Sequence, residues 1–293
     1  VLVWSVFFPL LPPINVQLPQ FQVHAAIEEQ HWWFTAKKQI VITLLSAVVP
    51  PARTTLVLDV GCGTGGSTAA LHQTFRCIGI DPIPEAITFA RQRFPSVEFR
   101  VGAIPQDCRD LLAEAHAVTV MDVLEHVTDD FSFVSSILAG MRPGAVLLLM
   151  APGDPELWGP HDRGFEHERR YTLERLRLLW QGLPVSELLL SACNTRLYPL
   201  AKATRALTRL FKHSFGPADT DLSLPPWPVN ALFRWIFAGE RHRLLRALQG
   251  KSHGYAHGVS VVALLRREVG ELTVRTRPAN VPPDARPWMS EQR

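Results

Sequence analysis

Residues 56–68, LVLDVGCGTGGST, restrict the possible folds more than any other stretch. An aliphatic run suited to a strand breaks into glycines at 61, 63, 65 and 66, then continues in small residues that can open a helix. A strand that turns into a helix through glycines is the first half of a βαβ unit, because parallel strands need a crossover that a helix supplies. The segment to 151 repeats the alternation. Strands are predicted at 55–60, 76–81, 97–101, 116–121 and 144–151, and helices at 65–74, 84–93, 106–112 and 129–140. Two more apolar runs, at 185–192 and in HGVSVVALLRR at 257–267, complete an expected seven strands. The expected fold is α/β: a doubly wound, Rossmann-like, mostly parallel sheet with helices on both faces. Ligands of such sheets bind beyond the carboxyl ends of the strands, and every motif below falls there.

The flanking segments organise around this core. Residues 1–23 form an apolar, proline-containing segment, and 24–194 are expected to be the core with an N-terminal helical arm over 25–49 that stops at Pro50 and Pro51. A helical insertion or cap over 195–255 follows, with helices around 197–212 and 229–249, then a last core strand in 256–270 and a disordered tail over 271–293. A chain with 47% hydrophobic and 19% charged residues folds, and a net charge of only +3 gives no reason to expect a nucleic-acid partner. Basic residues do gather at 163–177, 202–212 and 241–247, which leaves a peripheral contact with a membrane surface open. No 18-residue apolar span exists. Cys62, Cys77, Cys108 and Cys193 show neither CxxC pairing nor metal-ligand spacing with histidine, so a reducing cytoplasm is expected and a metal is not.

The glycine stretch supports two cofactors. Gly61, Gly63 and Gly66 complete the GxGxxG of a dinucleotide site, while Asp59 with Gly61, Gly63 and Gly65 spells DxGxGxG. Charge separates them: an ionised Asp59 opposes a pyrophosphate but favours a ligand carrying a sulfonium and an ammonium. The competing structural reading is that Asp59 only secures the turn. Asp81, with Pro82 after it, ends the second strand where a carboxylate can accept both hydroxyls of a ribose, which suits either cofactor. Ala103 and Ile104 form a small apolar lip at the third strand's end, and the fourth strand ends in Met121-Asp122 followed by Leu124-Glu125-His126.

Taken together, LDVGCGTG, GIDPIPEAI, VMDVLEHV and the MRPG at 141–144 resemble the class I S-adenosylmethionine-dependent methyltransferases. That resemblance implies Asp59, Gly61, Gly63 and Gly65 around the methionine part of S-adenosyl-L-methionine, Asp81 and Pro82 at its ribose, and Ala103 and Ile104 at its adenine. Asp122 and Leu124 are implied near its methionine end. A narrower likeness in EEQHWWFTAKK, HDRGFEHERRYTLERL and GVSVVALLRR is to a bacterial subgroup that accompanies glycan or secondary-metabolite enzymes. In that subgroup an arginine that could clamp a carboxylate in two-pronged fashion usually stands where this chain has Lys37. Trp33, in the HWW of the arm, suits either a cap that folds over the cofactor and excludes water or an apolar anchor of the helix on the sheet.

Methyl transfer to a hydroxyl benefits from a base, so His126, His161 and His167 are the catalytic candidates. In HDRGFEHERRY, Asp162 can orient a histidine, and Arg169 or Arg170, with Tyr171 and Trp158, can bind an anionic acceptor. The structural alternatives are that His126 is simply packed and that the arginines tie down helix 172–181. His161, Asp162 and Glu166 match no metal pattern. Trp227, Phe233, Trp235 and Phe237 beside Arg234, Arg241 and Arg243 suit an acceptor cap, a dimer interface or a membrane-facing surface. The expected function is methyl transfer to a small-molecule acceptor, on an oxygen of a metabolite or sugar-containing compound. The alternatives are an NAD(P)-dependent oxidoreductase using the overlapping GxGxxG, or a methyltransferase-like binding protein without activity.

Overall fold

A computed structural model of the chain describes residues 25–211, 223–279 and 281. The readings for 1–23, for the middle of the insertion and for the end of the tail lie outside these residues. Seven strands form one sheet: β1 (Leu56–Val60), β2 (Arg76–Asp81), β3 (Glu98–Val101), β4 (Ala117–Met121), β5 (Val146–Pro152), β6 (Val185–Cys193) and β7 (Ser260–Arg267). Their order is β3-β2-β1-β4-β5-β7-β6. The first five run parallel, and β7 lies antiparallel between β5 and β6. Because chain direction across the sheet reverses between β1 and β4, the crevice at the carboxyl ends opens beside β1.

Every residue of β1 and β4 is buried, as expected of central parallel strands covered on both faces. Alternation splits them between two cores. Leu58, Val60, Val118 and Val120 pack with α4 (Arg109–Glu114) and α5 (Asp130–Gly140), while Val57, Ala117 and Leu148 pack with α1 (Trp32–Ser46). Each large aliphatic side chain so buried contributes about 1.5–3 kcal/mol. The remaining helices are α2 (Gly66–His72), α3 (Pro84–Arg93), α6 (Pro160–Gly164), α7 (Leu173–Arg177), α8 (Tyr198–Phe211), α9 (Trp227–Ala238) and α10 (Arg241–Leu248).

Four stretches differ from expectation. The arm over 25–49 is not one helix: His31 is extended (φ −66°, ψ 133°), and its Nδ1 accepts from the Trp33 amide at 3.3 Å, starting α1 at Trp32. The helix expected over 229–249 breaks at Gly239-Glu240, where the buried Glu240 carboxylate accepts from the amides of Thr195 and Arg196, both at 2.8 Å. Helix 172–181 shortens to α7. Residues 271–279, expected to be disordered, run beside α5, with Arg275 donating to the carbonyls of Gln181 and Leu178 at 2.6 Å each.

The insertion meets the arm directly. The Trp32 amide donates to Asn230 Oδ1 at 2.8 Å, and the Trp32 ring meets Phe233 edge-on at 5.5 Å. Phe237 is buried in the second core, whereas Trp227 and Trp235 stand exposed, so the aromatic cluster read from the sequence divides between two faces of α9. Among the described residues, no helix is long and apolar enough to cross a membrane.

Candidate active site

Where β1 meets α2 the backbone turns through positive φ at Gly61 (72°), Gly63 (53°) and Gly65 (85°), conformations that other residues resist. Gly65 also lacks room, since a Cβ there would lie 2.7 Å from the Phe99 ring and 2.9 Å from Ala90 Cβ. Gly63 differs: a Cβ would meet nothing within 4 Å. Beside that open space, Asp81 accepts from the Gly63 amide through Oδ2 and from the Ile83 amide through Oδ1, both at 2.9 Å. Burial raises the Asp81 pKa, and these two amides oppose the shift. An ionised carboxylate offers about four lone-pair sites, so two can still accept hydroxyls. Pro82 lies exposed next to it, and Ala103 and Ile104 close the neighbouring strand end, the Ala103 amide donating to Asp107 Oδ2 at 2.8 Å.

Asp59 is placed otherwise than expected. It is 1% exposed, and its carboxylate accepts from Thr68 Oγ1 at 2.5 Å and Thr119 Oγ1 at 2.7 Å. It therefore ties α2 to β4 and does not face the crevice. Burial raises its pKa, with the two hydroxyls and Lys37 pulling the other way. A carboxylate buried against two hydroxyls does not decide between a pyrophosphate and a sulfonium in the crevice. Thr119 was legible as a polar residue in the otherwise apolar AVTVM, since a buried hydroxyl must find a partner.

Gly66 has its own cause. A Cβ there would lie 2.3 Å from Glu28 Oε2, and Glu28 also accepts from Thr64 Oγ1 at 2.7 Å and pairs with Arg93. The arm thus lays a buried carboxylate on the first residue of α2. The fourth glycine makes room for Glu28, which the sequence reading missed.

At the end of β4, Asp122 takes a left-handed backbone (φ 56°) and forms an ion pair with the buried Lys37. The Lys37 ammonium stands 4.4 Å from the centre of the Trp33 ring. Leu124, expected beside the cofactor, is instead fully buried in the first core. Glu125 is buried too; burial, then the Asp122 charge, push its pKa well up.

In HDRGFEHERRY the polar side chains turn inward. Asp162 is fully buried and accepts from the Gly159 amide (2.9 Å), His167 Nδ1 (2.9 Å) and Arg170 Nε (2.8 Å). Burial alone would raise its pKa, but Arg170 and His167 hold the carboxyl well below the usual range. Arg170 also donates to the Gly153 carbonyl at 2.8 Å. Arg169 donates to the carbonyls of Val127, Thr128 (3.0 Å) and Leu124 (3.2 Å), and the Tyr171 hydroxyl to Asp130 Oδ2 (2.8 Å) and the Leu124 carbonyl (3.1 Å). Arg169 and Tyr171, expected to bind an acceptor, instead fasten this loop to the one after β4, and Arg170, expected to do the same, ties it to the end of β5, because buried carbonyls must be satisfied. Trp158 is buried as well. The histidines do converge: His126 and His167 meet edge to face at 4.8 Å, and His161 lies 6.0 Å from His167. Burial, then the neighbouring His167, push the pKa of both His126 and His161 down to about 3, so both rings are neutral at ordinary pH.

Residues 57–144 match the family described as methyltransferase domain. Trans-aconitate 2-methyltransferase of Variovorax paradoxus (strain S110) is 32% identical over 115 residues, covering 37% of this chain and 42% of that protein. Ubiquinone biosynthesis O-methyltransferase of Methylobacterium sp. (strain 4-46) is 36% identical over 101 residues, 33% of this chain and 40% of that protein. The chain spans about two fifths of the length of the curated relatives it matches. The fold is shared with the N-methyltransferase NodS from Bradyrhizobium japonicum WM9, solved with S-adenosylhomocysteine, at a TM-score of 0.50 and 15% identity over 85% of this chain and 97% of that one. Over residues 57–144 the chain is thus similar to S-adenosylmethionine-dependent methyltransferases of class I. The matched stretch carries the glycine loop and the end of β4.

Proposed function

We propose that the protein transfers a methyl group from S-adenosylmethionine to an oxygen of a small-molecule acceptor, a metabolite or a sugar-containing compound, in the cytoplasm. The observation that carries this reading is the pairing, across the crevice beside β1, of two strand ends. At the β2 end, Asp81 keeps acceptor capacity next to the open space at Gly63; at the β4 end stands the Lys37–Asp122 ion pair. Those residues fit the cofactor. Asp81 would accept the ribose hydroxyls, Gly61, Gly63 and Gly65 would admit the backbone close to it, and Ala103 with Ile104 would flank the adenine. Asp122 and Lys37 would meet the ammonium and carboxylate of its methionine end, under Trp33. When bound, the cofactor supplies a methyl carbon on a sulfonium, open to in-line displacement.

The chain's own work is then to hold the acceptor in line and exclude water, which is where most of the rate comes from in such displacements. A hydroxyl acceptor must also give up its proton. The groups gathered at the β4 and β5 ends that can take it are His126, His161 and His167. Four buried cysteines without a disulfide support the cytoplasmic placement. The relatives named above act, by their names, on small molecules, which supports the acceptor class. Calorimetry with S-adenosylhomocysteine and with NADH tests the reading: binding of the first and not the second is expected, and the reverse overturns it. Methyl transfer to a panel of hydroxylated acceptors, lost on His161→Gln or His167→Gln, then distinguishes an enzyme from a binding protein.

A further inference from the structure

Two buried polar atoms at the end of β4 make no hydrogen bond among the described residues: Glu125 Oε2 and His126 Nδ1. A buried carboxylate oxygen and a buried imidazole nitrogen left without partners are costly, and adjacent orphans of this kind point to a missing third party. His167 completes a cluster with them, since one donor atom from each of Glu125, His126 and His167 lies within 4.8 Å of the others. His167 also has the support a ligand needs. Its Nδ1 sits 2.9 Å from Asp162 Oδ1, and Asp162 is itself held by Arg170 and the Gly159 amide. A histidine that gives Nδ1–H to a carboxylate presents Nε2 as a lone pair in a fixed direction, the arrangement found behind metal-bound imidazoles.

We propose that Glu125, His126 and His167 bind a first-row transition-metal dication of the zinc type. Two imidazoles and one carboxylate suit such an ion better than magnesium or calcium, which take mostly oxygen. Three protein donors leave at least one coordination position open. Local charge permits it: Lys37 is matched by Asp122 and Arg170 by Asp162, so Glu125 is the carboxylate left for the ion to neutralise. Spacing in the sequence does not reveal this site, because its donors come from two loops distant in the chain that contacts such as those of Arg169 and Tyr171 bring together. If the methyl-transfer reading holds, the open position is where an acceptor oxygen would sit, with His161 beside it; ion binding itself does not depend on that reading.

The test uses the full chain, stripped with a chelator and titrated with Co²⁺, whose visible absorption reports nitrogen and oxygen donors in low-symmetry coordination. One equivalent is expected to develop these bands, and Zn²⁺ to bleach them competitively. Glu125→Gln and His167→Gln, which preserve side-chain shape, are each expected to weaken Co²⁺ binding by at least tenfold, and Asp162→Asn by about 10–100-fold through loss of its hold on His167. His242→Gln, on α10, serves as a control for adventitious surface binding and is expected to change nothing. Absence of stoichiometric bands in the unmodified protein overturns the proposal. So do bands that survive in the Glu125→Gln/His167→Gln double variant while that variant still binds S-adenosylhomocysteine and is therefore folded. Calorimetry with S-adenosylhomocysteine on the chelated protein reads the methyl-transfer site separately, so failure of one reading is distinguishable from failure of the other.

Discussion

The two rims of the crevice use polar residues in opposite ways. At the β1 and β2 ends, one carboxylate, Asp81, is positioned by two backbone amides and keeps acceptor capacity in front of an open glycine. At the β4 and β5 ends, a much denser set of charged side chains is spent on the protein itself. Arg169, Arg170 and Tyr171 satisfy the carbonyls of Leu124, Val127, Thr128 and Gly153 and the carboxylates of Asp130 and Asp162. Density of polar residues in a loop therefore measures how much backbone the loop must satisfy, and a sparse site can be the more available one.

The largest expected effect breaks the second rim. Asp162→Ala strands Arg170, His167 and the Gly159 amide in a buried setting, and removing one partner of a buried ion pair costs about 3–5 kcal/mol. Urea denaturation should show that loss. A variant of unchanged stability with only a raised KM would mean that the loop faces the acceptor after all. Gly66→Ala probes the first rim. Its Cβ would overlap the Glu28 carboxylate, and overpacking of this kind costs about 1–3 kcal/mol. In a Glu28→Ala background the same substitution should cost much less. An undiminished cost would show that Gly66 answers to something other than the arm.

Asp81→Ala sharpens the comparison from the ligand side. S-adenosylhomocysteine should bind about 1–3 kcal/mol more weakly, the cost of unpaired hydroxyls. Titration calorimetry returning the unmodified affinity would place the ribose elsewhere.

Legibility followed the same division. The sheet was readable because strands buried on both faces must be continuous apolar runs and the intervening helices keep their period, so β2 and α3 were placed residue for residue. The three positive-φ glycines were readable because the backbone geometry of the turn demands them. Asp59 misled because a carboxylate two residues before a glycine turn has the same letter whether it faces a ligand or two buried hydroxyls. Glu28, and the meeting of Glu125 with His167, were invisible since each depends on a contact distant in sequence. The break at His31 was missed because histidine is not among the usual N-capping residues.

That cap supplies the smallest expected effect, and it bears on how the arm is held over the glycine loop. His31 is buried, its Nδ1 accepts from the Trp33 amide, and burial pushes its pKa down to about 4 against a weaker opposing pull from the Ser223 backbone. A proton on Nδ1 would set donor against donor and break the cap. The unfolded chain takes up that proton near pH 6.5 and the folded chain only near 4, so the stabilisation is complete above 6.5 and is lost as pH falls toward 4. Going from pH 6.5 to 5.5 should cost about 1 kcal/mol through this group. His126 and His161 add losses of the same sign, so the measurement is the difference between the unmodified chain and His31→Asn, which caps without titrating. Denaturation at the two pH values should show the shallower fall in His31→Asn, by about that 1 kcal/mol. Equal falls in the two proteins would mean that His31 is already accessible to protons in the folded state, and that the arm opens from the glycine loop far more readily than its buried contacts with Thr64 and Arg93 suggest.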